Sequence, residues 1–242
     1  MKTYSINCDM GEGIANEAEL MPFINYCNIA CGGHTGDIHS MDATIDLAIK
    51  NNVKIGAHPS YPDRFNFGRK SIEISKEALI STIQEQIHTL IEIATKKNTL
   101  LTHIKAHGAL YNDITKNKEL AAIYLEAVKP YRERLKLFVP YNSEIETLAI
   151  KNNFEIVYEA FADRNYNQDL SLVSRSQSNA VIDDIDVAVQ HVEHMITLGK
   201  VNTVQNKKVS IKASTFCIHS DTNNALEVVK GIHQLLLKQP NE

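Results

Sequence analysis

His103-Ile104-Lys105-Ala106-His107-Gly108-Ala109-Leu110-Tyr111-Asn112 opens as an apolar strand and ends in a knot of polar groups. In an extended chain alternate side chains point to one face, so His103, Lys105 and His107 share a side. Two imidazoles and an ammonium on one face do not suit a purely apolar core, because each buried polar group needs a partner. Gly108 lets the backbone approach a ligand closely. The stretch reads as a buried strand whose C-terminal end delivers chemistry.

The same unit recurs along the chain. Leu100–Lys105 is the fourth of seven expected strands, with Thr3–Cys8, Tyr26–Cys31, Val53–Ala57, Lys136–Val139, Phe154–Phe161 and Val209–Ile218. Helical patterns separate them. Ser75 caps a long helix striped by Leu79, Ile83, Ile87 and Leu90. Ser143 and Glu146 form a capping box for another. Further helices are expected at Met41–Ile49, Glu119–Val128, Ile185–Ile196 and Ala225–Leu236. Residues 165–179 are polar and carry no period.

Strand-then-helix repetition calls for parallel strands, and the strands lack polar alternation, so both faces should be covered. The fold class is α/β, with a closed or nearly closed barrel as the first choice and an open doubly wound sheet as the alternative. No linker interrupts the 242 residues, which are expected to form a single α/β barrel domain over 1–242.

Composition narrows the function. With a net charge of −4 and no basic run, the chain has no electrostatic footprint for nucleic acid. No apolar segment is long enough to span a bilayer, and no signal peptide is visible, so a cytoplasmic location is expected. Cys8, Cys27, Cys31 and Cys217 lie in or beside apolar runs and are expected to be reduced packing residues.

The chemistry-bearing residues fall at strand ends. Asp9, His34, His58, His107, Asp163, Arg164, His219 and Asp221 follow the C-terminal ends of expected strands, where parallel barrels and sheets place their sites. Pro59 restricts His58 to extended backbone at that rim. Asp9 also reads as a turn former, and Asp221 as an N-cap of the last helix. His103 reads as a satisfied core residue, His88 as solvated, and His191 and His194 as surface. Gly32-Gly33-His34-Thr35-Gly36-Asp37 resembles a phosphate loop but lacks the Gly-Lys-Ser/Thr of a Walker A motif. No Gly-x-Ser-x-Gly elbow is present. Aspartate with several histidines at one rim suits metal-assisted or general acid–base hydrolysis. Lys105, Arg69 and Arg164 are candidates to hold an anion.

Seven blocks, in order, resemble the LamB/YcsF family. They are Asn7–Gly13, Asn28–Asp37, Ile55–Asp63, Phe67–Arg69, Lys105–Asn112, Glu159–Arg164 and Cys217–Thr222. The resemblance implies a distorted seven-stranded TIM-like barrel related to glycoside hydrolases and deacetylases. It implies the A-subunit role in ATP-dependent 5-oxoprolinase, which converts 5-oxo-L-proline, ATP and water to L-glutamate, ADP and phosphate. It also implies partner subunits B and C, with ATP as co-substrate handled at least partly by them. Homo-oligomerisation and a bound divalent metal are left open.

In this reading Asp9, His58, Lys105 and His107 are catalytic, and Asp9, His58 and His107 would hold any metal. Glu12, Asn28, His34, Arg69, Tyr111, Asp163, Arg164, His219 and Asp221 would contact substrate. The rivals are a stand-alone metal-dependent amide hydrolase or deacetylase, and a non-catalytic substrate-binding subunit. Three positions depart from the family pattern: Gly33 in place of an aromatic, Ala106 in place of proline, and Ser220 in place of glycine.

Overall fold

Parallel pairing runs round the whole sheet. A computed structural model describes residues 4–238. Its strands are β1 (Ser5–Met10), β2 (Tyr26–Ala30), β3 (Lys54–His58), β4 (Leu101–Ile104), β5 (Lys136–Pro140), β6 (Ile156–Phe161), β7 (Lys200–Asn202), β8 (Lys208–Ser210) and β9 (Thr215–Ile218). The order β1-β2-β3-β4-β5-β6-β9 closes a seven-stranded barrel, sealed where Ser5 pairs with Thr215. That seal excludes the open-sheet alternative.

Eight α-helices lie among the described residues: α1 (Glu17–Leu20), α2 (Ile38–Lys50), α3 (Lys76–Lys96), α4 (Gly108–Lys116), α5 (Lys118–Val128), α6 (Glu144–Lys151), α7 (Ile185–Leu198) and α8 (Ala225–Leu237). Ser75 caps α3 by accepting from Ala78 N at 3.2 Å. Ser143 and Glu146 form the expected box on α6. The buried stripe of α3 (Leu79, Ile83, Ile87, Leu90) packs in the main apolar core. Each such side chain contributes about 1.5–3 kcal/mol by leaving water. No helix among the described residues is long and apolar enough to cross a membrane.

Three expectations need correction. The run Val209–Ile218 is not one strand: β8 pairs antiparallel with β7 in a separate hairpin, and only β9 enters the barrel. Lys212-Ala213-Ser214 lies between them in irregular backbone. Residues 108–116 form α4, a helix that the apolar pattern does not announce. Gly108, read from the sequence as a point of close backbone approach, takes a φ of +55° in the first turn of α4. Finally, β1 extends to Met10, so Asp9 sits inside the strand and is no turn former. The start of the expected first strand, Thr3, lies outside the described residues.

Candidate functional site

The barrel interior is polar along one line. Asn28 donates to Asn7 Oδ1 and Asp9 Oδ1, both at 2.8 Å, and its own Oδ1 lies 2.8 Å from His103 Nε2. Fully buried His103 is thus a satisfied core residue, and burial holds its pKa down at about 3. Asn28, expected on the substrate, spends every amide atom on holding Asp9 and its neighbours.

Lys105 follows β4 and points inward, 2% exposed. Its ammonium lies 2.9 Å from Asp9 Oδ1, 3.0 Å from Glu159 Oε1 and 3.0 Å from Cys217 Sγ. Burial alone would lower its pKa, but Asp9, Cys217 and Glu159 outweigh it and hold the group charged. An ammonium has three donors, and Asp9, Cys217 and Asn7 Oδ1 (3.3 Å) use them, while Glu159 is held by charge alone. Lys105 therefore fixes the carboxylates rather than offering a free donor.

At the rim the histidine tautomers follow from their carbonyl partners, which only accept. His58 Nδ1 lies 2.8 Å from Lys105 O, so Nδ1 carries the proton and Nε2 a lone pair. His107 Nε2 lies 3.0 Å from Phe67 O, so its Nδ1 carries a lone pair. These two bare nitrogens face each other at 3.0 Å. Asp9 Oδ2 lies 3.2 Å from His58 Nε2, and Glu12 Oε1 lies 3.5 Å from His107 Nδ1. Burial, then His34 and His58, keep the His107 pKa well below normal. Burial would raise Asp9, but His58 and Lys105 hold it well below the usual carboxylate range.

Converging acceptors with no donor between them repel unless a proton or cation sits among them. Two imidazoles and a carboxylate suit a divalent transition ion: Glu12, His34, His58 and His107 offer ligand atoms all within 4.8 Å of one another, whereas Asp9, expected with the two histidines, falls in a second such group with Cys217 and His219. The residues fit a metal.

The loop after β3 completes this corner. His34 stacks on His107 with ring centroids 3.5 Å apart. The Ser60 hydroxyl donates to Tyr61 O, leaving its oxygen to accept from His34 Nδ1 at 3.1 Å. His34 Nε2 then meets Glu12 Oε1 at 2.9 Å, a contact that a protonated Glu12 satisfies. Burial and then Asp9 push Glu12 up to about 7. Gly68 holds a φ of +62°, and a Cβ there would stand 2.9 Å from His34 Cβ and 3.0 Å from His107 Cδ2. Only glycine lets this loop lie so close to both rings.

Across the barrel, Asp163 accepts from His219 N at 2.9 Å and Thr222 Oγ1 at 2.6 Å, and lies 2.9 Å from His219 Nδ1. Burial would raise its carboxyl, but His219 and these donors lower it from 3.8 to about 2. Stability from this group is therefore complete above pH 4 and is lost as pH falls through about 2, a contribution of about 2 kcal/mol. Asp163→Asn should flatten the fall in Tm between pH 5 and pH 2 seen for the wild type. An unchanged slope in thermal melts would remove this role.

A cavity of about 450 Å³ opens over these groups. Asp9, Glu12, His58, Lys105, His107 and Tyr111 line it; Asn28, His34 and Asp163 are buried outside its lining, and Asp221 is exposed beside Arg69. Asp221 takes Arg69 at 2.6 Å and Arg175 at 3.5 Å. Asn224, not Asp221, is the N-cap of α8. Arg164 lines the cavity but donates to Ala180 O and Val173 O, so its guanidinium mainly holds residues 173–180. Glu159 and Arg175 also line the cavity, and neither is a candidate from the sequence. The block Glu159–Arg164 is the one signal that points to Glu159.

His191 is buried rather than on the surface, stacking against Tyr166. His88 is exposed and pairs with Glu92. At the departures, a Cβ on Gly33 would meet Ser60 Oγ at 2.3 Å and Gln86 Oε1 at 2.4 Å, so Gln86 fills that space. Ala106 is buried, and Ser220 avoids positive φ.

Fold and rim together define a (β/α) barrel protein that gathers its polar chemistry at the C-terminal ends of the strands. The chain belongs to the LamB/YcsF family, whose model matches residues 4–242. It is 38% identical over 240 residues to a 5-oxoprolinase A-subunit of Bacillus cereus (strain 03BB102), covering 97% of this chain and 95% of that one. It is 36% identical to the corresponding 5-oxoprolinase A-subunit of Haemophilus influenzae (strain PittEE), covering 98% and 97% of the two chains. A lactam utilization protein from Thermus thermophilus superposes with a TM-score of 0.89 at 31% identity, covering 98% and 96%.

Proposed function

We propose that this chain is the A-subunit of an ATP-dependent 5-oxoprolinase, working in the cytoplasm with B and C subunits. The observation that carries the reading is the set of bare acceptors on Asp9, His58 and His107 at the floor of a cavity able to enclose a small cyclic amide. The names of the relatives supply the substrate.

A lactam carbonyl is a poor electrophile. ATP, handled with the partner subunits, phosphorylates the carbonyl oxygen and leaves as ADP; the activated ring carbon then takes water, the ring C–N bond breaks as its nitrogen takes a proton, and phosphate leaves to give L-glutamate. Asp9, His58 and His107 orient that water and draw off its proton. Glu12, poised at about 7 against His34, exchanges the proton near neutral pH. Lys105 keeps Asp9 ionised and aimed. Arg69, 2.6 Å from Asp221 at the mouth, takes the substrate carboxylate. A divalent metal held by Asp9, His58 and His107, when bound, supplies Lewis-acid polarisation and a lowered water pKa.

The same acceptor set favours one rival, a stand-alone metal-dependent amide hydrolase. A single assay separates them: glutamate formed from 5-oxoproline by this chain, with and without B and C and ATP, with metal analysis on the same sample. Glutamate only in the complete mixture is the expected result. Turnover by the chain alone without ATP overturns the subunit reading.

A further inference from the structure

Six buried side-chain nitrogen or oxygen atoms among the described residues have no hydrogen-bond partner, and three of them are Glu159 Oε1, Glu159 Oε2 and Tyr111 Oη. Both residues line the cavity. Glu159 is 1% exposed and Tyr111 5%. An orphaned buried polar atom costs about 1–3 kcal/mol, so a carboxylate and a phenol left open together mark a place kept for a ligand.

The contacts around them fix what is free. Lys105 Nζ lies 3.0 Å from Glu159 Oε1, close enough for charge attraction but outside hydrogen-bond geometry, because its donors go to Asp9, Cys217 and Asn7. Burial and then the Glu159 carboxylate beside it raise the Tyr111 pKa, but the hydroxyl does not meet hydrogen-bond geometry with that carboxylate or with any other protein acceptor. Glu159 thus offers a bare acceptor and Tyr111 a free donor, side by side. They lie one ammonium away from Asp9.

We propose that Glu159 and Tyr111 form the subsite that reads the amide edge of the substrate, and that it selects a cis amide. In a five-membered lactam the ring forces the amide cis, so N–H and C=O project from the same edge. An open-chain secondary amide is trans, with the two on opposite edges. One acceptor beside one donor matches only the first. The ring N–H donates to a Glu159 oxygen and the Tyr111 hydroxyl donates to the ring carbonyl. The same pair would accept other cis amides, such as cyclic imides. This assignment rests on the 5-oxoprolinase reading and adds the basis of its substrate choice.

The test is calorimetric titration of the chain, alone and with B and C, using 5-oxo-L-proline, its N-methyl derivative and N-acetylalanine, an open-chain amide that also carries a carboxylate. The wild type should bind 5-oxoproline at least about 100-fold more tightly than either analogue, because the N-methyl derivative leaves Glu159 unpaired and the trans amide can satisfy only one of the two groups. In Glu159→Gln the N-methyl penalty should shrink to less than about 10-fold, and Tyr111→Phe should weaken 5-oxoproline by about 10-fold. Both changes are nearly isosteric, and matched melting curves would show that the barrel is intact. If the wild type binds 5-oxoproline but the N-methyl penalty persists unchanged in Glu159→Gln, the subsite is overturned and the substrate reading stands. If the wild type binds 5-oxoproline in neither form, both fall.

Discussion

His107→Ala folds as the wild type does and loses about 10³-fold of the 5-oxoproline-dependent glutamate formation proposed for the chain with its partner subunits. The fold survives because His107 serves the barrel through its backbone. Its N–H donates to Pro59 O at 2.9 Å, and its extended φ and ψ of −97° and 148° start α4, none of which needs the imidazole. Activity falls because the ring brings a bare Nδ1 to within 3.0 Å of His58 Nε2, oriented by Phe67 O and by stacking on His34. Loss of the ring also removes one of three proposed metal ligands, so metal content should drop in the same sample. His107→Gln returns a side chain whose amide N–H can reach Phe67 O but whose oxygen is an acceptor too weakly basic to take a proton, and should leave turnover as low as in His107→Ala. Near-normal glutamate formation by His107→Ala in a coupled assay would sink its role.

The main lines of this arrangement are legible in the sequence because strand ends are legible. An apolar run followed by a polar residue and a helix cap marks where a parallel strand leaves the barrel, and His34, His58, His107 and Asp163 all sit just there. What is not legible has physical causes. Glu159 lies inside β6 between Tyr158 and Ala160, and in one sequence a polar residue within a strand looks like a solvent-facing alternate. Arg175 comes from a polar stretch with no period. The tautomers of His58 and His107 depend on carbonyls 47 and 40 residues away along the chain, which no local pattern encodes. Strand β8 hides in the expected run Val209–Ile218, and its partner β7 carries no signal of its own, because three-residue strands hold too little alternation to separate.

Lys105→Met should cost about 3–5 kcal/mol, the penalty for removing one partner from a buried ion network. Methionine keeps the length of the stem and fills much the same volume, so packing is not what is lost. What remains is Asp9 and Glu159, 3% and 1% exposed, facing each other with no cation between. Two buried carboxylates that close cannot both stay ionised at ordinary cost. One must take a proton, so its folded pKa rises above its unfolded value. The sign of the pH dependence then reverses. Wild-type Asp9, held well below 3.8, loses stability as pH falls toward its folded pKa. The variant instead recovers stability as pH drops from 7 toward 4, because protonation relieves the repulsion. Adding Glu159→Gln removes one carboxylate chemically and should restore about 1–3 kcal/mol relative to the single variant, a non-additivity that identifies the two groups as coupled through Lys105. Urea unfolding of the four proteins at pH 7 and pH 5 measures both effects. A single-variant cost below about 1 kcal/mol, or a double variant whose loss equals the sum of the two single losses, would show that the ammonium does not hold this pair together.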